Sequence, residues 1–153
     1  MIISIRMKNK SITYIRYPLI LISIALCISG IRWLISPEPW MLDQVANEER
    51  LQMTFVDLFL LDGNSTLSAY LTQIYRFLGL YVLGIGSLLL SFTPNKFLEI
   101  ESVRQRFLIV LGILLVSNLV LAYVWIPSSH FIYVMWGAIG LYCFSLYNHL
   151  KSH

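Results

Sequence analysis

The sequence predicts an all-α integral membrane protein: a four-helix bundle with an amphipathic outer-loop helix between the first and second spans. Three observations predict it: an apolar, charge-poor composition, four apolar runs of bilayer length, and basic residues concentrated in one set of connections. Hydrophobic residues make up 58% and charged residues 12% of the 153 positions, with a mean hydropathy of +0.72. Soluble domains average roughly 45–50% apolar and about 25% charged, and a soluble core of this size cannot hide so much apolar surface. Neither a Gly/Ser/Pro-rich linker nor a solenoid period divides the chain, so residues 1–153 read as a single transmembrane domain.

The four runs cover about residues 17–36, 67–92, 106–126 and 130–150. Each matches the ~20 residues that a helix needs to cross ~30 Å of hydrocarbon. Lipid offers the backbone no hydrogen-bond partner, so only helices or closed barrels span it. Unbroken apolar runs lack the alternation of barrel strands, which leaves helices.

Short loops rich in Lys and Arg stay cytoplasmic. Arg6, Lys8, Lys10 and Arg16 precede the first run, Lys96, Arg104 and Arg106 lie between the second and third, and Lys151 follows the fourth. The opposite side carries Glu38, Asp43, Glu48, Glu49, Asp57 and Asp62 against Arg50 alone. This predicts a multi-pass protein of the cell inner membrane with both termini in the cytoplasm. The net charge of +3 is then an orientation signal, and it implies no nucleic-acid partner because the basic residues flank helices instead of forming a patch. A basic stretch before an apolar run also fits a signal peptide. No small-residue cleavage site follows, however, and Leu26 before Cys27 is too large for lipoprotein processing, so an uncleaved first helix is expected.

The segment from Met41 to Leu60 mixes charges with Leu42, Val45, Ala46, Phe55, Val56, Phe59 and Leu60, and Gly63-Asn64 then supplies a stop. It reads as one or two short helices on the outer membrane surface or capping the bundle, with the acids facing water. Glu48, Glu49 and Asp57, set among apolar residues, are the candidate partner-binding residues.

Chemistry inside the spans rests on polar side chains, because burying them is expensive. Arg76 lies about 13 Å below the outer end of the second span, and Asn118 about 12 Å from the outer end of the third, at 1.5 Å per residue. Arg32, Gln73, Tyr75, Tyr123, His130 and Tyr133 belong to the same outer half. Thr72, Arg76, Gly79, Leu83 and Gly86 share one helical stripe, and small residues permit close helix approach, so this stripe is expected to face the interior and take Arg76 with it. On this reading Arg32, Gln73, Arg76, Asn118, His130 and Tyr133 are the candidate ligand-binding residues. They would form a polar cavity for an anionic headgroup, a carboxylate or a quinone. A purely structural Arg76, satisfied by Asn118, helix carbonyls and Asp43, Glu48 or Glu49, stays open beside it.

Other chemistries lack their parts. His130 sits at the outer end while His149 and His153 sit at the inner end, which argues against paired haem ligation. No run contains Asp or Glu, so a carboxylate proton relay has no residue to use. Hydrolytic and nucleotide-binding motifs are missing, and Cys27 and Cys143 form no CxxC pair. No catalytic set, metal site or cofactor is expected. Trp33, Trp40, Trp125 and Tyr147 near the run ends read as interfacial anchors.

The stretch "IYRFLGLYVLGIGSLLL", Ile74 to Leu90, has Arg76 followed by Gly79, Gly84 and Gly86. It resembles the second helix of small bacterial four-helix membrane proteins of the uncharacterised and DoxX-like kind. Their layout, a long first outer loop and then an Arg-x-x-Gly helix, covers most of this chain. The resemblance implies the architecture and, through the DoxX-like members, a quinone or redox-partner role.

Two functions follow as expectations. The first is a non-enzymatic accessory or structural subunit that meets other membrane protein subunits through its helix faces or acidic loop. The alternative is a lipid- or quinone-binding protein using a pocket around Arg76. The orientation has a direct check: fusions near Asn47 should be active only with an exported reporter and fusions after Lys151 only with a cytoplasmic one. The reverse pattern at either site would exclude this topology.

Overall fold

The computed structural model describes residues 2–152, with side chains from residue 12 onward; the side chains of Arg6, Lys8 and Lys10, and the whole of His153, lie outside the described residues. The chain folds into helices α1 (Ile2–Ile35), α2 (Gln44–Leu51), α3 (Phe55–Leu60), α4 (Leu67–Ser91), α5 (Asn95–Leu98), α6 (Glu101–Trp125) and α7 (Phe131–Lys151). A 3₁₀ turn, Pro39–Asp43, precedes α2, and no strand occurs among the described residues. Among the described residues, four segments are long and apolar enough to cross a bilayer: Ile12–Ile35, Leu67–Ser91, Glu101–Trp125 and Phe131–Lys151. The fold is thus the expected all-α membrane bundle.

Two helices begin earlier than the apolar runs. In α1 and α6 the basic residues Arg16 and Arg104 are already helical, because a helix closes its backbone hydrogen bonds whatever the side chain. Pro18 lies inside α1 without ending it. It removes one backbone bond, a loss that membrane helices tolerate. Residues 36–66 cover one end of the bundle, here the capped end. The opposite, terminal end carries the 92–100 connection and the ends of the chain.

The spans form an arc, not a closed square. α1 packs extensively on α4 and on α7, and α7 packs on α6, while no comparable backbone contact joins α4 to α6 among the described residues. In lipid there is no hydrophobic gain from bringing two helices together, so close packing must come from small residues that let backbones meet. Glycines make the α1–α4 contact. A Cβ at Gly30 would lie 2.5 Å from the Leu83 backbone nitrogen and 2.7 Å from the Gly79 carbonyl. One at Gly79 would lie 2.8 Å from the Gly30 carbonyl, and one at Gly86 2.8 Å from the Cys27 nitrogen. The expected stripe through Gly79 and Gly86 therefore does face the interior, and Gly30 is its partner. On the other side of the arc, Gly112 of α6 makes room for the ring of Tyr142 of α7.

The best-packed core lies toward the terminal end. Ile15, Leu19 and Ile22 of α1 cluster there with Leu89, Leu98 of α5, Leu108 and Leu111. Ser145 of α7, fully buried, donates its hydroxyl hydrogen to the Ile15 carbonyl at 3.1 Å.

The capped end has a small core of its own. Trp40 is 5% exposed and packs on Phe55 and Phe59 at ring-centroid distances of 6.4 and 5.5 Å. This corrects the expectation that Trp40 is an interfacial anchor: the turn at Pro39 points the indole back under α3, where two aromatic rings bury it. Thr54 caps α3 by accepting from the Asp57 amide at 3.1 Å.

Gly79→Val should lower the thermal unfolding temperature in detergent by the equivalent of about 1–3 kcal/mol of overpacking, because the new methyl groups meet the Gly30 backbone. Gly84, which has nothing within 4 Å of a Cβ, should accept Ala without loss. Equal sensitivity at both positions would mean that α1 and α4 do not meet as described.

Candidate functional site

The open side of the arc contains a cavity of about 360 Å³. Its walls are apolar: Ile22, Ala25 and Leu26 of α1, Leu78, Val82 and Ile85 of α4, Leu111, Leu114 and Leu115 of α6, and Val134, Met135 and Ala138 of α7. All four spans contribute. From Leu89 near the terminal end to Tyr75 near the capped end it runs roughly 20 Å along α4 at 1.5 Å per residue. Polar groups, namely Asp43, Asn47, Tyr75 and Asn118, are gathered toward the capped end, with Ser29 beside them on α1. The result is a slot with an apolar shaft and a polar head.

The cap positions that head. Asn47 of α2 donates from Nδ2 to the Tyr75 hydroxyl oxygen at 3.2 Å and to the Trp40 carbonyl at 3.3 Å. Asp43, whose side chain is 11% exposed, holds His130 Nδ1 at 3.3 Å. Glu49 accepts from the Ser128 hydroxyl, and the Arg50 guanidinium lies 4.9 Å from the centre of the Trp125 ring. These contacts tie the cap to the short turn between α6 and α7.

The sequence-predicted ligand residues are only partly brought together. Asn118 lines the cavity, donating from Nδ2 to its own helix at Leu114 O, 2.7 Å away. His130 touches the site through Asp43. Arg32, Gln73 and Tyr133 are exposed and do not line it. Arg76 is exposed too, which corrects its expected interior position and its pairing with Asn118. The reason is angular. The buried and half-buried positions of α4 run through Thr72, Tyr75, Gly79, Val82, Leu83, Gly86 and Leu89, and Arg76, one 100° step from Tyr75, falls outside them. From there its long stem can carry the guanidinium toward lipid headgroups.

The acids expected to dock a partner are engaged within the chain. Glu48 accepts from Gln44 Nε2 at 2.9 Å and from the Phe55 amide at 3.0 Å, which joins α2 to α3. Asp57 accepts from the Thr54 hydroxyl at 2.7 Å, and Glu49 is held by Ser128. Asp43, Asn47 and Tyr75 as a group are what sequence reasoning missed. Tyr75 sits in the polar half of its helix, but nothing in the sequence shows that Asn47 folds over it.

A second polar cluster lies at the terminal end. Arg104, 5% exposed, donates from Nε to His149 Nδ1 at 3.0 Å and from Nη1 to the Leu98 carbonyl at 2.7 Å. Arg104 therefore joins α5, α6 and α7 and is more than an orientation charge. Among the described residues no group of His, Cys, Asp or Glu could hold a metal. Cys27 and Cys143 are free, and Cys27 packs against the backbone at Gly86.

Replacing Arg104 with Met removes a buried charge and both of these donors. It should destabilise the detergent-solubilised protein by about 2–4 kcal/mol, and Arg104→Lys should recover only part of this, because an ammonium lacks the two-pronged reach. Thermal unfolding of the two variants checks it, and equal stability of Met and wild type would show that the cluster is dispensable.

No known protein family, curated protein or solved structure matches this chain.

Proposed function

We propose that this protein is a non-enzymatic, multi-pass membrane protein that holds one lipid- or quinone-class amphiphile in the slot between α4 and α6. The observation that carries this reading is the cavity: about 360 Å³, walled by apolar side chains, polar at one end and open where α4 and α6 fail to pack. Ligand pockets are of this size and character, mostly apolar with a few convergent polar groups. An amphiphile satisfies both parts at once, its chain along the shaft and its head at Asn47, Tyr75 and Asn118. The pocket supporting this reading lies around Tyr75, one helical step from Arg76.

A second reading, the accessory subunit of a larger membrane complex, has its own support. Within the four spans only 11–28% of the most apolar windows is buried inside the chain, so wide faces remain for lipid or other subunits. An inner-membrane location with cytoplasmic termini fits both readings, since the acidic cap and the basic connections lie at opposite ends.

Native mass spectrometry of protein purified in mild detergent from its own membranes should show one retained amphiphile per chain. Val82→Trp and Leu114→Trp, which fill the shaft, should reduce that adduct at least about tenfold while helical content is kept. Wild-type protein without any adduct, or variants that retain it fully, would remove the ligand-holding function and leave the subunit reading.

A further inference from the structure

The charge at the polar head of the cavity has the opposite sign to the one suggested by the arginines of the spans. Arg32, Arg50 and Arg76 all belong to the capped half, and none of them lines the cavity. The one residue lining it that carries a full charge is Asp43. His130, its partner at 3.3 Å, can at most balance it, so the pair offers no net positive charge to an anion. In a low-dielectric slot an unpaired negative headgroup beside this carboxylate is strongly disfavoured.

The hydrogen-bonding groups add a second restriction. The Tyr75 oxygen accepts from Asn47 Nδ2, and among the described residues no acceptor takes the Tyr75 hydroxyl hydrogen. A tyrosine hydroxyl donates as well as accepts, so this hydrogen is available to an oxygen inside the cavity. Asn118 directs one Nδ2 hydrogen to Leu114 O, and its amide oxygen remains an acceptor. The head thus offers the Tyr75 hydroxyl as a donor and neutral acceptors in the Asn47 and Asn118 amide oxygens and the Ser29 hydroxyl, beside a carboxylate.

We propose that the cavity selects an uncharged amphiphile whose carbonyl oxygen accepts from Tyr75, and that Asp43 excludes anionic headgroups. This rests on the ligand-holding function above and names its substrate class. Two sources share the chemistry: the ring carbonyl of a quinone and the ester carbonyl of a neutral glycerolipid. Arg32 and Arg76, exposed and off the cavity lining, then serve the phosphates of the surrounding bilayer, outside the slot.

The test titrates the detergent-solubilised full chain with monooleoylglycerol, with oleoyl lysophosphatidate, which adds only the phosphate, and with decylbenzoquinone, following bound species by native mass spectrometry. Monooleoylglycerol, decylbenzoquinone or both should bind at least about tenfold tighter than the lysophosphatidate. Which of the two neutral probes binds identifies the source. Tyr75→Phe should weaken the neutral probe roughly 2- to 10-fold, the share of one hydrogen bond. Asp43→Asn should narrow the gap between the neutral and phosphorylated probes, and Arg76→Gln should leave it unchanged.

Lysophosphatidate binding as tightly as monooleoylglycerol to wild type, with Val82→Trp still abolishing both, would overturn the charge selection and leave the ligand-holding function standing. Binding of neutral probes unaffected by Tyr75→Phe would overturn the carbonyl contact. If no probe binds, or Val82→Trp changes nothing, the ligand-holding function itself falls. Because the matched pair is read on wild-type protein, the test survives even if Asp43→Asn fails to fold.

Discussion

The architecture depends on the meeting of two backbones, α1 and α4, where Gly30 lies against Gly79 and Leu83, and Gly86 lies against Cys27. In hydrocarbon an apolar side chain gains nothing by leaving lipid for a neighbouring helix, so the favourable terms are dispersion and shape. Contact at glycine range brings many atoms into register along this seam and commits α4 to one side of α1. α7 takes another side of α1, and α6 is carried by α7. A chain built outward from one tight seam in this way has no reason to close, and the space between its first and last members is the slot.

That origin explains the character of the slot. Its shaft is lined by residues that are apolar because they belong to membrane spans, whereas its head is polar because the cap hangs over it. Neither half is complete alone: Tyr75 on α4 and Asn118 on α6 share the lining with Asp43 and Asn47, which come from the chain between α1 and α4. The negative sign of the head also comes from the cap, and the arginines of the spans stay outside. Burying a guanidinium without a partner is far more costly than leaving it near headgroups.

Much of this was legible in the sequence, and the failures have physical causes. The four spans follow from hydropathy alone, because a bilayer imposes a length and leaves the backbone no alternative. The glycine stripe of α4 was legible too, as spacing along one helix. Its partner Gly30 was not, since spacing on α1 says nothing about which face meets α4. Arg76 failed for a related reason: a stripe read at 100° per residue is wide, and a residue at its edge lies inside or outside depending on where the seam is centred. Trp40 was misread, and the contact of Glu49 with Ser128 was not legible, because tertiary contacts with Phe55, Phe59 and Ser128 decide their surroundings. The pairing of Arg104 with His149, far apart in the chain, could not be read from either neighbourhood.

The two ends of the gap between α4 and α6 are held by different kinds of bond. At the terminal end residues 92–100 join the helices covalently through α5, and Arg104 pins α5 to α6 and α7. At the capped end, among the described residues, the helices are bridged through the cap, by Asn47 to Tyr75 on the α4 side and by Asp43 to His130, Glu49 to Ser128 and Arg50 over Trp125 on the α6 side. Any opening of this gap would therefore be that of a hinged wedge, smallest at the covalent connection and growing toward the capped end. An amphiphile held as proposed would enter from the capped side, and its head would travel only the roughly 12 Å between the outer end of α4 and Tyr75 instead of the whole bilayer.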